Sequence, residues 1–246
     1  MMNPIIQSLF DRKSCRIFKD KEISQEERKL ILEACMQAPS AGNQQMYTII
    51  DVQDKKLQET LSKTCDNQPF INQAKMVLIF CADFQKWYDL FNHENCNPRK
   101  PGVGDLLLAT TDATIAAQNA VVAAESLGIG SCYIGDILEQ HDIHKELLNL
   151  SEYVVPVCML VLGYPAEDHF KRQKPKRCKL EDIICVDQYH RKDKQELKNM
   201  FEHKAVNKTL NEWATAFCNR KYNSDFSKEM TKSVQKYIDQ FKSEAD

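Results

Sequence analysis

Glycine is scarce, with only seven in 246 residues. None forms a G-x-G-x-x-G turn behind a strand, and no G-x-x-x-x-G-K-[ST] loop occurs. Both common glycine-rich phosphate cradles are thereby excluded, so a nucleotide-like ligand must be held in some other way. Paired cysteines are missing too. Ten cysteines stand singly with no C-x-x-C pair, several inside apolar runs such as LIFCAD and PVCMLV. They read as small reduced hydrophobes in a reducing cytosol, not as a disulfide scaffold or a dithiol. His141 and His144 lie three apart, but no Cys or carboxylate pattern completes a tetrahedral site, so no metal is expected. There is no uninterrupted apolar run of about 20 residues, and the N-terminus lacks the long apolar stretch of a signal peptide. The expectation is a cytoplasmic chain without membrane attachment. A formal net charge of −2 gives no general attraction to nucleic acid or to an anionic membrane.

What is present suits a globular protein: 43% hydrophobic and 28% charged residues, in a chain long enough to bury a substantial core. The spacing predicts a short helix over 3–10. A second helix opens on Ser24-Gln25-Glu26-Glu27, which has capping-box form, and stops at Ala38-Pro39. Strands are expected at 47–52, 131–134 and 154–163, and the unbroken run 76–82 reads as a buried central strand. Residues 84–105 read as an irregular polar excursion. The most apolar helix is expected over 106–127, with small residues on one side and Gly128 as its stop. From Asp193 onward the chain turns polar and helical, ending in an apolar stripe of Met230, Val234, Ile238 and Phe241. These boundaries suggest a main domain over 1–190 and a helical extension over 191–246.

Four constellations carry chemistry. Arg12-Lys13-Ser14-Cys15-Arg16 places three cations and a hydroxyl within five residues, and guanidinium forks suit phosphate oxygens. Ala38-Pro39-Ser40-Ala41-Gly42-Asn43-Gln44-Gln45 joins a helix to a strand with hydroxyl, amide and free backbone groups, which match the donor and acceptor edges of a heteroaromatic ring. The segment 125–136 holds three of the seven glycines. Two are explicable as a cap and a turn; Gly135, after a strand, allows the close approach of a flat ligand. Finally, Gly163-Tyr164-Pro165 leads into Lys171-Arg172-Gln173-Lys174-Pro175-Lys176-Arg177, a second basic cluster. Each has a plainer reading: a solvated basic surface, an ordinary loop, a helix cap.

Taken in order, the four resemble the FMN-dependent nitroreductase family. The matching motifs are R-x-S-x-R-x-F (Arg12 to Phe18), A-P-S-x-x-N-x-Q (Ala38 to Gln45), A-A-E-S-L-G-I-G with Y-I-G (Ala123 to Gly135), and L-G-Y-P with a basic segment (Leu162 to Arg177). FCADF and DATIAAQNAVVAAESLG look most like the branch of NADPH-dependent nitroreductase A and flavin reductase P. The resemblance implies an α+β fold, a central mixed and mainly antiparallel sheet wrapped by helices, in a homodimer that binds FMN across its interface. It implies that Arg12, Ser14, Arg16, Lys174 and Arg177 bind the FMN phosphate and ribityl chain, with Lys174 and Lys176 both open as phosphate ligands. Ser40, Asn43, Gln45 and Gln68 would line the isoalloxazine, and the backbone at Ile134 and Gly135 would lie near its N5. No side-chain nucleophile is required. NADPH or NADH would donate hydride to a small flat acceptor by ping-pong turnover, with Arg220 and Lys221 as candidates for the extra NADPH phosphate. Two other readings stand beside this one: an FMN-binding module without NAD(P)H oxidation, and a reductase specialised for one substrate such as a disulfide.

Overall fold

The run Met76–Asp83 is buried at all eight positions, as suits a strand covered on both faces. A computed structural model describes residues 2–242 and places this strand (β2) inside a four-stranded sheet of order β1-β2-β4-β3, with β1 at Tyr47–Val52, β3 at Gly130–Ile134 and β4 at Val154–Gly163. All three pairings are antiparallel, so among the described residues the mainly antiparallel sheet contains no parallel pair. The β2–β4 register shifts at Phe80/Cys81, beside Pro156, which has no N–H to give the ladder.

The helices are α1 (Pro4–Asp11), α2 (Gln25–Met36), α3 (Lys55–Thr64), α4 (Pro69–Gln73), α5 (Gln85–His93), α6 (Val103–Ser126), α7 (His141–Leu147) and α8 (Glu167–Lys171). The α2 capping box forms as read: Ser24 Oγ accepts from Glu27 N, and the Glu27 carboxylate accepts from Ser24 N. One face of the sheet (Leu78, Phe80, Leu160, Leu162) packs on Ile31 and Cys35 of α2 and on the alanines 113, 116, 117, 120 and 124 of α6. The small α6 side chains let that helix lie close to the strands. It has the length and composition of a membrane span, yet these alanines are buried in the core. The other face (Val77, Ile79, Met159, Val161) packs on Leu61 of α3 and Ile71 of α4. The excursion expected over 84–105 is partly helical, because Trp87, Tyr88 and Phe91 share a stripe at helical spacing that forms α5.

The described residues fall into two compact units. The first runs to residue 173 and includes those from 230 on; the second covers 174–229. The second unit holds α9 (Leu180–Ile183), α10 (Lys194–Phe201) and α11 (Leu210–Lys221), with Phe201, Trp213 and Phe217 stacked in series. The last helix, α12 (Asp225–Asp239), begins there. Its later residues belong to the first unit, where Tyr237 and Phe241 are buried edge-on against His141 and Tyr153. The expected stripe is thus centred on Tyr237 and Phe241.

Candidate functional site

The basic segment after α1 runs extended along the β3–β4 edge. Cys15 N donates to Ser131 O (2.9 Å), Lys19 N to Tyr164 O (2.7 Å) and Ala166 N to Ile17 O (3.0 Å). Two glycines make this approach possible. Gly130 and Gly163 are cross-strand partners, and a Cβ on either would stand 2.7 Å from Cys15 Cβ or from the Phe18 ring. Cys15 therefore turns into the core, while Arg12, Ser14 and Arg16 gather around Cys132 and Tyr133. Burial raises the Cys132 pKa, and Arg16, Ser14 and Arg12 all oppose that rise. Arg12 lies 5.9 Å from the Tyr133 ring centroid and Arg16 5.8 Å from that of Phe70. Arg12 Nε is buried without any acceptor on the protein. A buried guanidinium N–H without a partner is costly, so this donor suits an anionic ligand. Lys13 points elsewhere, its Nζ donating to the carbonyls of Phe170 and Arg172 behind α8.

Just beyond β3, Gly135 is exposed and nothing lies within 4 Å of a Cβ built on it. Its φ of −82° is open to any residue, so its bareness serves space and not backbone conformation. Gln68 meets this turn: its Nε2 donates to Cys65 O (2.9 Å) and to Asp136 Oδ2 (3.1 Å). Arg12, Ser14, Arg16, Gln68, Ile134 and Gly135 thus form one neighbourhood, with Phe70 and Tyr133 as its aromatic walls.

Ser40, Asn43 and Gln45 lie apart from it. Gly42, Asn43 and Gln45 all take left-handed backbone (φ 57°, 56° and 49°), a conformation that costs glycine nothing but that Gln45 holds only with outside support. Asp112 of α6 supplies it, being buried and accepting from Ala41 N (3.0 Å) and Met46 N (3.2 Å). Ser40 Oγ accepts from Gln45 N (3.0 Å), which leaves its own hydroxyl proton available. This loop leads into β1, whereas Ile134 ends β3, and these strands are the two edges of the sheet. Three strand spacings put them roughly 14 Å apart, so the two groups do not face one ring from within a single chain.

Asp112 was not legible as a site residue, although it is the sole acid between Leu106 and Ala124, and an isolated acid in an apolar helix is a signal of internal bonding. Asp136 was also missed. Of the remaining candidates, Lys174 and Arg177 lie in the irregular stretch that opens the second unit. Arg220 and Lys221 are exposed in the last turn of α11, over Phe217 (5.5 Å) and Phe226 (5.7 Å). His141 and His144 do not face a common point: His144 uses Nδ1 on Ile137 O and Nε2 on Thr64 Oγ1, and His141 pairs with Asp142.

Comparison with known proteins shows which family the chain resembles. A profile described as the nitroreductase family matches residues 9–164. An FMN reductase [NAD(P)H] of Bacillus subtilis is 40% identical over 179 residues, 70% of each chain. An oxygen-insensitive NADPH nitroreductase of Salmonella typhimurium is 33% identical over 205 residues, covering 83% of this chain and 82% of that one. Among solved structures, NfrA2 of B. megaterium superposes with a TM-score of 0.84 at 31% identity, covering 99% of this chain and all of the other.

Proposed function

The chain belongs to the nitroreductase family, and from that premise we propose that it is an FMN-dependent oxidoreductase. It takes hydride from NAD(P)H, with NADPH preferred, and passes it to flavin, nitroaromatic or quinone-type acceptors. The observation that carries this reading is the buried, partnerless Arg12 Nε beside Ser14 and Arg16, over an edge left bare at Gly135. That pairing fits a ligand with an anionic end and a flat end. The names of the relatives, an NAD(P)H-dependent FMN reductase and an NADPH nitroreductase, support the choice of FMN and donor.

FMN, when bound, supplies the hydride chemistry. The chain does the rest. Arg12, Ser14 and Arg16 hold the phosphate end, and Gly135 leaves room for the ring edge. Ser40, Asn43 and Gln45 complete the ring pocket from a second copy, since the opposite sheet edges keep the two groups apart in one copy. A homodimer is further supported by Ile5, Leu9 and Phe10 of α1 and Leu107 and Leu108 of α6, all exposed apolar side chains. Ten unpaired cysteines, six of them buried, favour a cytoplasmic location.

The test is the visible spectrum of the purified untagged protein, followed by anaerobic addition of NADPH and then NADH. Flavin bands that bleach faster with NADPH are the expected result. A bound flavin that both donors leave oxidised would indicate a binding module, and a colourless protein that cannot be reconstituted with FMN would overturn the reading. Sedimentation of the same sample reads the dimer.

A further inference from the structure

We propose that Asp136 is a positioning residue that fixes the Gln68 carboxamide in one orientation, so that position 68 offers the ligand a hydrogen-bond acceptor and never a donor. The proposal rests on the FMN reading above and adds a specificity rule to that site.

Both amide hydrogens of Gln68 are already engaged, one on the Cys65 carbonyl (2.9 Å) and one on the Asp136 carboxylate (3.1 Å). These two partners can only accept. Rotating the amide by half a turn would set Oε1 against two acceptor oxygens, so the orientation follows from the chemistry of the neighbours. The one function left is Oε1. It can receive an N–H or O–H from the ligand and repels an acceptor edge.

The surroundings hold this arrangement still. The Gln68 backbone is anchored by its N–H to Ser62 O (2.8 Å), and its carbonyl accepts from Ile71 N (3.0 Å). Asp66 and Asn67, just before it, take left-handed backbone (φ 59° and 49°), which persists only where neighbours enforce it. His144 is fully buried and bolts the two loops to α7. Its Nδ1 lies 3.0 Å from Ile137 O, next to Asp136, and its Nε2 lies 2.8 Å from Thr64 Oγ1, next to Cys65. Gln140 Nε2 adds a bond to Thr64 O (2.7 Å). Gln68 and the Gly135–Asp136 turn therefore move as one body.

The test is a double-mutant cycle on FMN binding, read by flavin fluorescence quenching on titration of the full-length, flavin-stripped protein. Gln68→Met removes the acceptor, and Asp136→Ala frees the amide to turn its donors outward. Each is expected to weaken FMN binding by roughly 2- to 12-fold, the range for one hydrogen bond. The double variant is expected to be no weaker than Gln68→Met, because Asp136 acts only through Gln68. Asp136→Asn keeps an oxygen acceptor in place and should bind within about twofold of the parent. Asp136→Ser, too short to reach Nε2, repeats the measurement should the alanine variant fail to fold. Additive losses, or an Asp136→Ala variant that binds like the parent, would overturn the positioning role while leaving the FMN reading intact. A parent protein that does not bind FMN would overturn both.

Discussion

Adding one methyl group at Gly163 should destabilise the protein, while adding one at Gly104 should not. A Cβ at Gly163 would stand 2.7 Å from Phe18 Cδ1 and 2.9 Å from Cγ, and Phe18 cannot swing clear because its flanking residues are hydrogen-bonded to Tyr164 and Ala166. At Gly130 the new atom would meet Cys15 Cβ at 2.7 Å and Pro165 Cγ at 2.9 Å. Overpacking of this kind costs about 1–3 kcal/mol. For a chain of this size that converts to a drop in Tm of roughly 2–12 °C. Gly104, in the first turn of α6, has nothing within 4 Å of its built Cβ, so Gly104→Ala should be neutral or stabilise by up to about 1 kcal/mol. Thermal unfolding of the three flavin-free variants checks the sign. The same segment carries Arg12, Ser14 and Arg16, so Gly163→Ala and Gly130→Ala should also weaken FMN binding, and Gly104→Ala should not. A Gly163→Ala variant as stable as the parent would refute the close-packing argument.

Asp112→Ala should cost about 2–5 kcal/mol, since it leaves the Ala41 and Met46 N–H groups without an acceptor, and Asp112→Asn should recover part of that; urea denaturation measures both. Arg12→Ala should weaken FMN binding by tenfold or more at about 2 kcal/mol for a charged hydrogen bond, with a smaller loss for Arg16→Ala; isothermal titration reads the two. Glu27 is held down to about 2, first by the Tyr164 hydroxyl and then by Ser24. Its depressed value means that it stabilises the start of α2 fully above the ordinary glutamate range and stops doing so as pH falls through about 2; Glu27→Gln should flatten that acid limb in circular dichroism. Alkylation of the native protein should label Cys96, Cys185 and Cys218 first. Cys35, Cys65, Cys81 and Cys158 are buried with thiols pushed up to about 12 and should stay unlabelled until unfolding, as peptide mass spectrometry would show.

Much of the fold was legible because local rules and burial agreed. The capping box at Ser24, the buried run at 76–83 and the alanine face of α6 each state their structure in a few neighbouring residues. The helix over 85–93 was obscured because its apolar stripe sits in a polar stretch beside two prolines and two glycines. The residue types of the candidate site can be picked out in the sequence as well, since phosphate favours arginine and a flat ring favours amides and bare backbone. Their supports were not.

The sequence by itself determined the four strands, the capped helix after Ser24 and the alanine-rich helix, and where cationic and amide groups cluster, because those depend on neighbours along the chain. Only the tertiary structure decided that Gly130 and Gly163 exist to admit Cys15 and Phe18, that Asp112 holds a loop some 70 positions away, and that Asp136 sets the polarity of Gln68. It also decided that the two groups of site residues lie at opposite edges of one sheet. These are relations between residues far apart in the chain. No local propensity encodes them; they arise when packing brings a buried donor to the one acceptor that satisfies it.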